Sequence, residues 1–166
     1  MFAYLYNIEE INLSNFNTIN VTDMYAMFYN TNLEILNLSY FNMNKVTNTT
    51  NILYGVTNLK ELKTPSVYPS DTSVTLTLPK TMYDNNLVGY DILGKNTTPS
   101  SPTQTWLKEG FTVTFNSDGG SSVAPVQVLE GDTLSELPST PTKSGHAFLG
   151  WFDENNAFEF ATKVQA

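Results

Sequence analysis

A repeat of 25 residues constrains this chain more than any other feature. Leu33-Glu-Ile-Leu36-Asn-Leu38-Ser39-Tyr-Phe41-Asn42 restates Ile8-Glu-Glu-Ile11-Asn-Leu13-Ser14-Asn-Phe16-Asn17, with Leu36, Leu38 and Phe41 each standing 25 positions after Ile11, Leu13 and Phe16. Val46-Thr47 follows Val21-Thr22 at the same interval, and a weaker third copy opens at Leu59-Lys-Glu-Leu62. A unit this short cannot enclose its own apolar face. Neighbouring units must stack and bury it between them.

Apolar positions in the form L-x-x-L-x-L, at a period between about 20 and 29 residues, are the mark of a leucine-rich solenoid. Ile11–Leu13 and Leu36–Leu38 alternate with Asn and Ser, which predicts short strands with one buried face. Glu10, Asn12, Ser14, Ile35, Asn37, Ser39, Glu61 and Lys63 would then point outward, on the concave sheet of such a solenoid. Asn17 and Asn42 are expected to bind loop backbone groups. Met24, Met27 and Phe28 fall at i, i+3 and i+4, which predicts a short convex-side helix with Thr22 as its cap. Thr49-Thr-Asn-Ile52-Leu53 keeps the spacing in the next copy, and Met1-Phe2 matches Met27-Phe28. The expected fold class is therefore an α/β solenoid of short strands and short helices over residues 1–93. On this reading the chain begins inside a helix segment, without the capping unit a solenoid needs, and is a fragment.

The repeat decays after Pro65. Ser73-Val-Thr-Leu76-Thr-Leu78 alternates as a last strand, and residues 79–93 are expected to close the solenoid. Residues 94–110, with Asn96-Thr-Thr-Pro-Ser-Ser-Pro-Thr, have the composition of a linker. A second, β-rich module is expected over 111–166. Its strands are expected at Phe111–Phe115, Val123–Leu129, Ala147–Phe152 and Phe158–Phe160, with a turn at Asp118-Gly-Gly120 and a short helix or turn at Glu130–Leu134.

Two stretches resemble known families. The pattern Leu-Ser-x-Phe-Asn…Val-Thr-x-Met-x-x-Met-Phe of residues 13–28 resembles the BspA-like leucine-rich repeats of bacterial surface proteins. Val113-Thr-Phe-Asn-Ser-Asp-Gly-Gly120, followed by Pro141-Thr-Lys-Ser-Gly145 and Gly150-Trp151-Phe152, resembles the Listeria–Bacteroides repeat, the B-repeat type of module of internalin-like proteins. These resemblances imply a β-grasp-like fold for the second module. They also imply a bacterial cell-surface protein whose leucine-rich part binds partners while the small repeat serves as a stalk. The Listeria–Bacteroides pattern continues beyond the Phe160 strand, so the end at Ala166 is expected to be a truncation.

Composition narrows the chemistry. A net charge of −8 and a pI near 4.4 deny nucleic acid the basic patch its phosphates need and disfavour docking on anionic lipid. The chain has no cysteine and one histidine, His146, so neither a disulfide framework nor a zinc site is expected. No cofactor is expected. No apolar run approaches the ~18 residues of a membrane span.

Several stretches imitate functional motifs. Gly89-Tyr-Asp-Ile-Leu-Gly94-Lys95-Asn96 nearly spells a phosphate-binding loop, but Asn96 stands where a hydroxyl must hold magnesium, and Pro99 and Pro102 forbid the helix that should follow. Leu137-Pro-Ser-Thr140 resembles a cell-wall sorting signal but lacks the apolar tail and basic end. His146 has no nucleophile or orienting group nominated beside it. Glu9-Glu10, Asp153-Glu154 and Glu159 read as solvated edges, since a glycosidase needs two carboxylates across a cleft. Trp151 and Phe152 read as core aromatics before sugar binders. Asn12-Leu-Ser14, Asn37-Leu-Ser39 and Asn48-Thr-Thr50 satisfy the glycosylation sequon and are better explained by the strand and loop pattern.

The expected function is therefore non-enzymatic. An extracellular bacterial surface protein, attached to the wall through parts outside this chain, would bind a host or neighbouring-cell protein or glycan. Glu10, Asn12, Ser14, Asn37, Ser39, Glu61 and Lys63 would form the binding face. Edge-to-edge self-association is a further expectation, since unpaired strand edges template pairing. The competing readings are a structural spacer without its own ligand and an accessory carbohydrate-binding module of a larger surface enzyme.

Overall fold

The structure is a computed structural model and describes residues 1–134, 136–153 and 156–157. It contains two compact units, Met1–Glu109 and Gly110–Ala166.

In the first unit the sequence period becomes a spatial one. Strand β1, Ile35–Asn37, pairs in parallel with β2, Glu61–Lys63. Isolated parallel bridges Glu10–Ile35, Asp23–Asn48 and Asn42–Val67 carry the same stacking around the coil. Between the layers lie Leu13, Leu33, Leu36, Leu38, Phe41, Leu59 and Leu62, all buried. Each such side chain contributes roughly 1.5–3 kcal/mol when it leaves water. Asn17 and Asn42 behave as expected: their Oδ1 atoms accept the N–H of Ile19 (3.1 Å) and Asn44 (3.0 Å).

The α/β class expected for the repeats is overturned. Among the described residues there is no helix. The reason lies in where the backbone donors go. The N–H groups of Met24, Ala26, Phe28 and Asn30 donate to the carbonyls of Asn48, Thr50, Ile52 and Tyr54 on the next coil, at 2.8–3.0 Å. Phe2 and Tyr4 donate likewise to Met27 and Tyr29. A helix would send these donors four residues back along its own chain.

Left-handed residues enforce the coil. Ala26 (φ 49°) and Asn51 (φ 57°) occupy one repeating position, and Tyr4 (φ 64°), Asn30 (φ 50°) and Gly55 (φ 76°) another. At Gly55 a Cβ would meet Asn30 Oδ1 at 1.8 Å, so both the turn and the space require glycine. Thr22 caps no helix. Its carbonyl accepts Thr47 N–H, and Asp23 Oδ1 takes Tyr25 N–H at 2.7 Å. Met24, Met27 and Phe28 are buried, so their spacing reported burial but not helix. The repeats form a coil of turns and three-residue strands, not a strand-and-helix solenoid.

The remainder of the unit is antiparallel. Strand β3, Leu76–Tyr83, pairs with β4, Gly89–Leu93, and with β5, Trp106–Val113. The first half of β5 also pairs with β2, so the order across this unit is β1-β2-β5-β3-β4. Residues 94–110, expected as a linker, thus contain a sheet strand: Leu107 stands opposite Leu62 and is fully buried. Thr64 and Thr105 close the junction, with Thr64 N–H to Thr105 O and Thr105 N–H to Thr64 Oγ1, both 2.9 Å.

Tyr68 fastens the loop before β5, its hydroxyl donating to the Pro102 carbonyl at 2.6 Å. Burial pushes its phenol well above the ordinary range, and burial likewise raises Tyr29 and Tyr90. A raised folded-state pKa gives stability that is whole below the unfolded value of about 10 and lost as pH rises through the folded one. Urea unfolding followed by circular dichroism is expected to show a falling midpoint above about pH 10. Tyr68→Phe should flatten part of that decline. An equal slope in both proteins would count against the assignment.

In the second unit Gly110–Val113 of β5 pairs antiparallel with β6, Val126–Leu129. The turn expected at Asp118-Gly-Gly120 is present. Asp118 (φ 48°) and Gly119 (φ 79°) are left-handed, and Gly120 N–H reaches Ser117 O at 3.0 Å. Glu130–Leu134 is turn and extended chain. Of the strand expected at Ala147–Phe152, only Phe152 is in a strand, β7 (Phe152–Asp153), which pairs with β8 (Asn156–Ala157). The β-grasp-like arrangement expected for this unit is not seen, since no helix packs on its strands among the described residues. The expected strand at Phe158–Phe160, and Glu154 and Glu159, lie outside the described residues.

Candidate functional site

Alternation along β1, β2 and the start of β5 sorts the first unit's sheet into two faces. Leu36, Leu62 and Leu107 point inward and are fully buried. Ile35 and Asn37, Glu61 and Lys63, and Trp106 and Lys108 point the other way and are half-buried. Register assembles them into rows. Ile35, Glu61 and Lys108 lie side by side, with Glu10 joined at one end through its bridge to Ile35 and Tyr83 at the other, opposite Lys108. Asn37, Lys63 and Trp106 form the second row.

The electrostatics of this face are local and mixed. Lys63 Nζ lies 5.5 Å from the centre of the Trp106 ring, a cation–π contact worth about 0.5–1 kcal/mol at a partly exposed site. Glu34 and Lys60 pair at 3.3 Å at the rim. The surface thus offers alternating charge, two aromatic rings and an amide.

Of the seven residues expected on this face, the structure brings together Glu10, Asn37, Glu61 and Lys63. The other three stand at strand ends and turn back on the chain. Asn12 Oδ1 accepts Ser14 N–H at 3.0 Å, and Asn37 Oδ1 accepts both the N–H (3.0 Å) and the hydroxyl (2.7 Å) of Ser39. Asn48 Oδ1 does the same for Thr50 N–H at 3.1 Å. These three asparagines therefore close local turns.

Sequence reasoning missed Trp106, Lys108 and Tyr83. The first two lie in the stretch read as linker, although Trp106-Leu107-Lys108 alternates as a strand should. It also missed a stack of tyrosines. Tyr29 and Tyr54 are parallel at 5.3 Å between ring centres, and Tyr4 meets Tyr29 edge-on at 5.5 Å. Their common interval of 25 was the available signal.

The imitated motifs resolve as structure. Gly89–Leu93 is β4, so no backbone cradle for phosphate forms there. His146 closes a turn: its N–H donates to Lys143 O, and Nδ1 lies 2.9 Å from Ser144 O. Trp151 contacts Phe115 at 5.0 Å and Phe148 at 5.2 Å, an aromatic cluster within the second unit. Glu9 and Glu10 are exposed. Among the described residues no three His, Asp or Glu converge as metal ligands, and no helix is long and apolar enough to cross a membrane.

Comparison with known proteins divides the chain in two. Residues 111–166 match the Listeria-Bacteroides repeat domain, in agreement with the resemblance of their Gly-Gly and Gly-Trp elements. Residues 1–66 match a different description from the BspA-like repeats their motif resembles: a Mycoplasma protein of unknown function, DUF285. Internalin H of Listeria monocytogenes is 36% identical over 98 residues, covering 54% of this chain and 17% of the relative. Two proteins of Evansella cellulosilytica are also similar. One, described as a candidate membrane protein, is 40% identical over 62 residues, covering 36% of this chain and 9% of the relative. The other, a candidate Gly-rich membrane protein, is 38% identical over 60 residues, covering 34% and 7%. The matches span less than a fifth of the length of these curated relatives. No solved structure matches the chain. The chain is thus similar, in its second unit, to a repeat domain found in bacterial proteins, an internalin among the relatives.

Proposed function

We propose that this chain is a non-enzymatic part of an extracellular bacterial surface protein, and that its first unit binds a protein partner through the outer face of β1, β2 and β5. The second unit serves as a spacer. The similarity to the Listeria-Bacteroides repeat and to Internalin H supports the surface reading. One observation carries the binding reading: Glu61, Lys63, Trp106 and Lys108 converge on one half-exposed sheet face above a fully buried leucine layer.

The test exchanges the charges in place. Glu61→Lys with Lys63→Glu keeps the net charge and leaves the buried layer untouched. Wild type and variant are applied to an array of extracellular-matrix proteins, mucins and glycans. A protein partner of the wild type is expected to lose about tenfold or more in affinity for the variant, equivalent to about 1.4 kcal/mol. Unimpaired binding by a folded variant rejects this face. A blank array with folded wild type favours the spacer reading, and a glycan hit unaffected by the exchange favours the carbohydrate-binding one.

A further inference from the structure

The coil of the first unit is closed on one side and open on the other. On the sheet side the place of the next rung after β2 is taken by β5, which pairs with β2 over Glu61–Lys63. On the turn side no strand among the described residues takes it. The donors of the second coil, Met24, Ala26, Phe28 and Asn30, are all received by carbonyls of the third. Their counterparts one repeat on are Thr49, Asn51, Leu53 and Gly55. The left-handed pairs Ala26/Asn51 and Asn30/Gly55 show that the two segments share a conformation, which aims these N–H groups the same way. Among the described residues no carbonyl accepts them.

Facing them is a cleft of about 800 Å³, lined on one wall by residues 47–55 and Thr57 and on the other by Ser73, Val74, Thr75, Thr77, Leu78 and Pro79. The second wall approaches without pairing. Thr49 Oγ1 donates to Thr75 O at 2.6 Å, and from Leu76 the chain leaves to pair with β4.

We propose that this cleft binds an uncharged peptide segment in the turn conformation of the coil, which adds to it as its next rung. One coil earlier the equivalent donors are met by the carbonyls of Asn48, Thr50, Ile52 and Tyr54, so a segment in that same turn conformation presents acceptors at the spacing required. As in strand addition, backbone bonds supply the affinity. The lining contains hydroxyl, amide and apolar groups and no charged side chain. A charged segment would lose its water there without gaining a partner. The site is separate from the sheet face proposed above and does not depend on it.

The probe is a capped synthetic peptide with the sequence of residues 47–57, Thr-Asn-Thr-Thr-Asn-Ile-Leu-Tyr-Gly-Val-Thr, the uncharged turn segment of the coil itself. It is titrated into the full chain, and backbone amides are followed by NMR. In the free protein the amides of Thr49, Asn51, Leu53 and Gly55 are expected to exchange about tenfold or more faster than those of Met24, Ala26, Phe28 and Asn30. The peptide should shift these four and slow their exchange. Thr77→Arg places a charge in the cleft from an exposed position whose strand pairing uses only backbone, and should weaken the peptide about tenfold or more. Thr50→Arg serves the same purpose from the other wall if the first variant does not fold. Three results overturn the proposal: equal protection of both sets of amides without peptide, peptide that leaves the four amides unmoved, or unchanged binding in a folded arginine variant. A neutral chitin oligosaccharide is titrated in parallel, and protection by it alone overturns the peptide assignment.

Discussion

Leu107→Ala is expected to lower the unfolding free energy by about 2–5 kcal/mol, the range for a large-to-small change in a close-packed core. Leu107 is fully buried, stands opposite Leu62 in the β2–β5 register, and belongs to the same apolar cluster as Leu36 and Met82. A cost of that size is a large share of the 5–15 kcal/mol that holds a typical domain together. Had residues 94–110 been a linker, the substitution would have fallen within about ±0.5 kcal/mol. Lys95→Ala, at an exposed position in the same stretch, supplies that comparison. Urea denaturation of the three proteins decides the matter. A Leu107→Ala midpoint equal to that of Lys95→Ala would remove β5 from the core.

Phe28→Ala is expected to cost about 3–5 kcal/mol. Its ring is fully buried and lies parallel to that of Phe2, 5.8 Å between centres, while its N–H bonds to Ile52 O. The ring therefore joins the first coil to the second, and the backbone joins the second to the third. Alanine is the best helix former, and in a helix its propensity would recover a little of the loss. In a coil whose Ala26 and Asn30 are left-handed that gain does not arise. The loss should appear in full as a lower thermal midpoint, with no rise in the helical circular dichroism signal. A loss below about 1 kcal/mol would show that the coils are not stacked through this ring.

The loose ends of the sequence reading share one cause. The spacing of Met24, Met27 and Phe28 announces which side chains are buried, and all three are. It does not announce where the intervening N–H groups donate. Asn30, and Gly55 one repeat later, were the local hints that this segment turns left-handed instead of continuing as a helix. The face built from Glu61 and Lys63 was legible because β2 alternates in isolation. Its extension to Trp106 and Lys108 was not, because that pairing joins residues more than 40 positions apart.

The sequence by itself determined the 25-residue period, the leucine and phenylalanine positions that line the interior, the left-handed turn at Asp118-Gly119, and the absence of charge from residues 47–57. These follow from side-chain identity and local backbone preference, which each residue carries with it. Tertiary structure alone decided that the turn segments bond to their neighbours instead of to themselves, that β5 closes the sheet side of the coil, and that the turn side stays open. Those outcomes depend on which distant carbonyl reaches a given N–H, a competition between local and non-local hydrogen bonds of nearly equal energy. Only the stacked chain, with its leucines already buried, tips it.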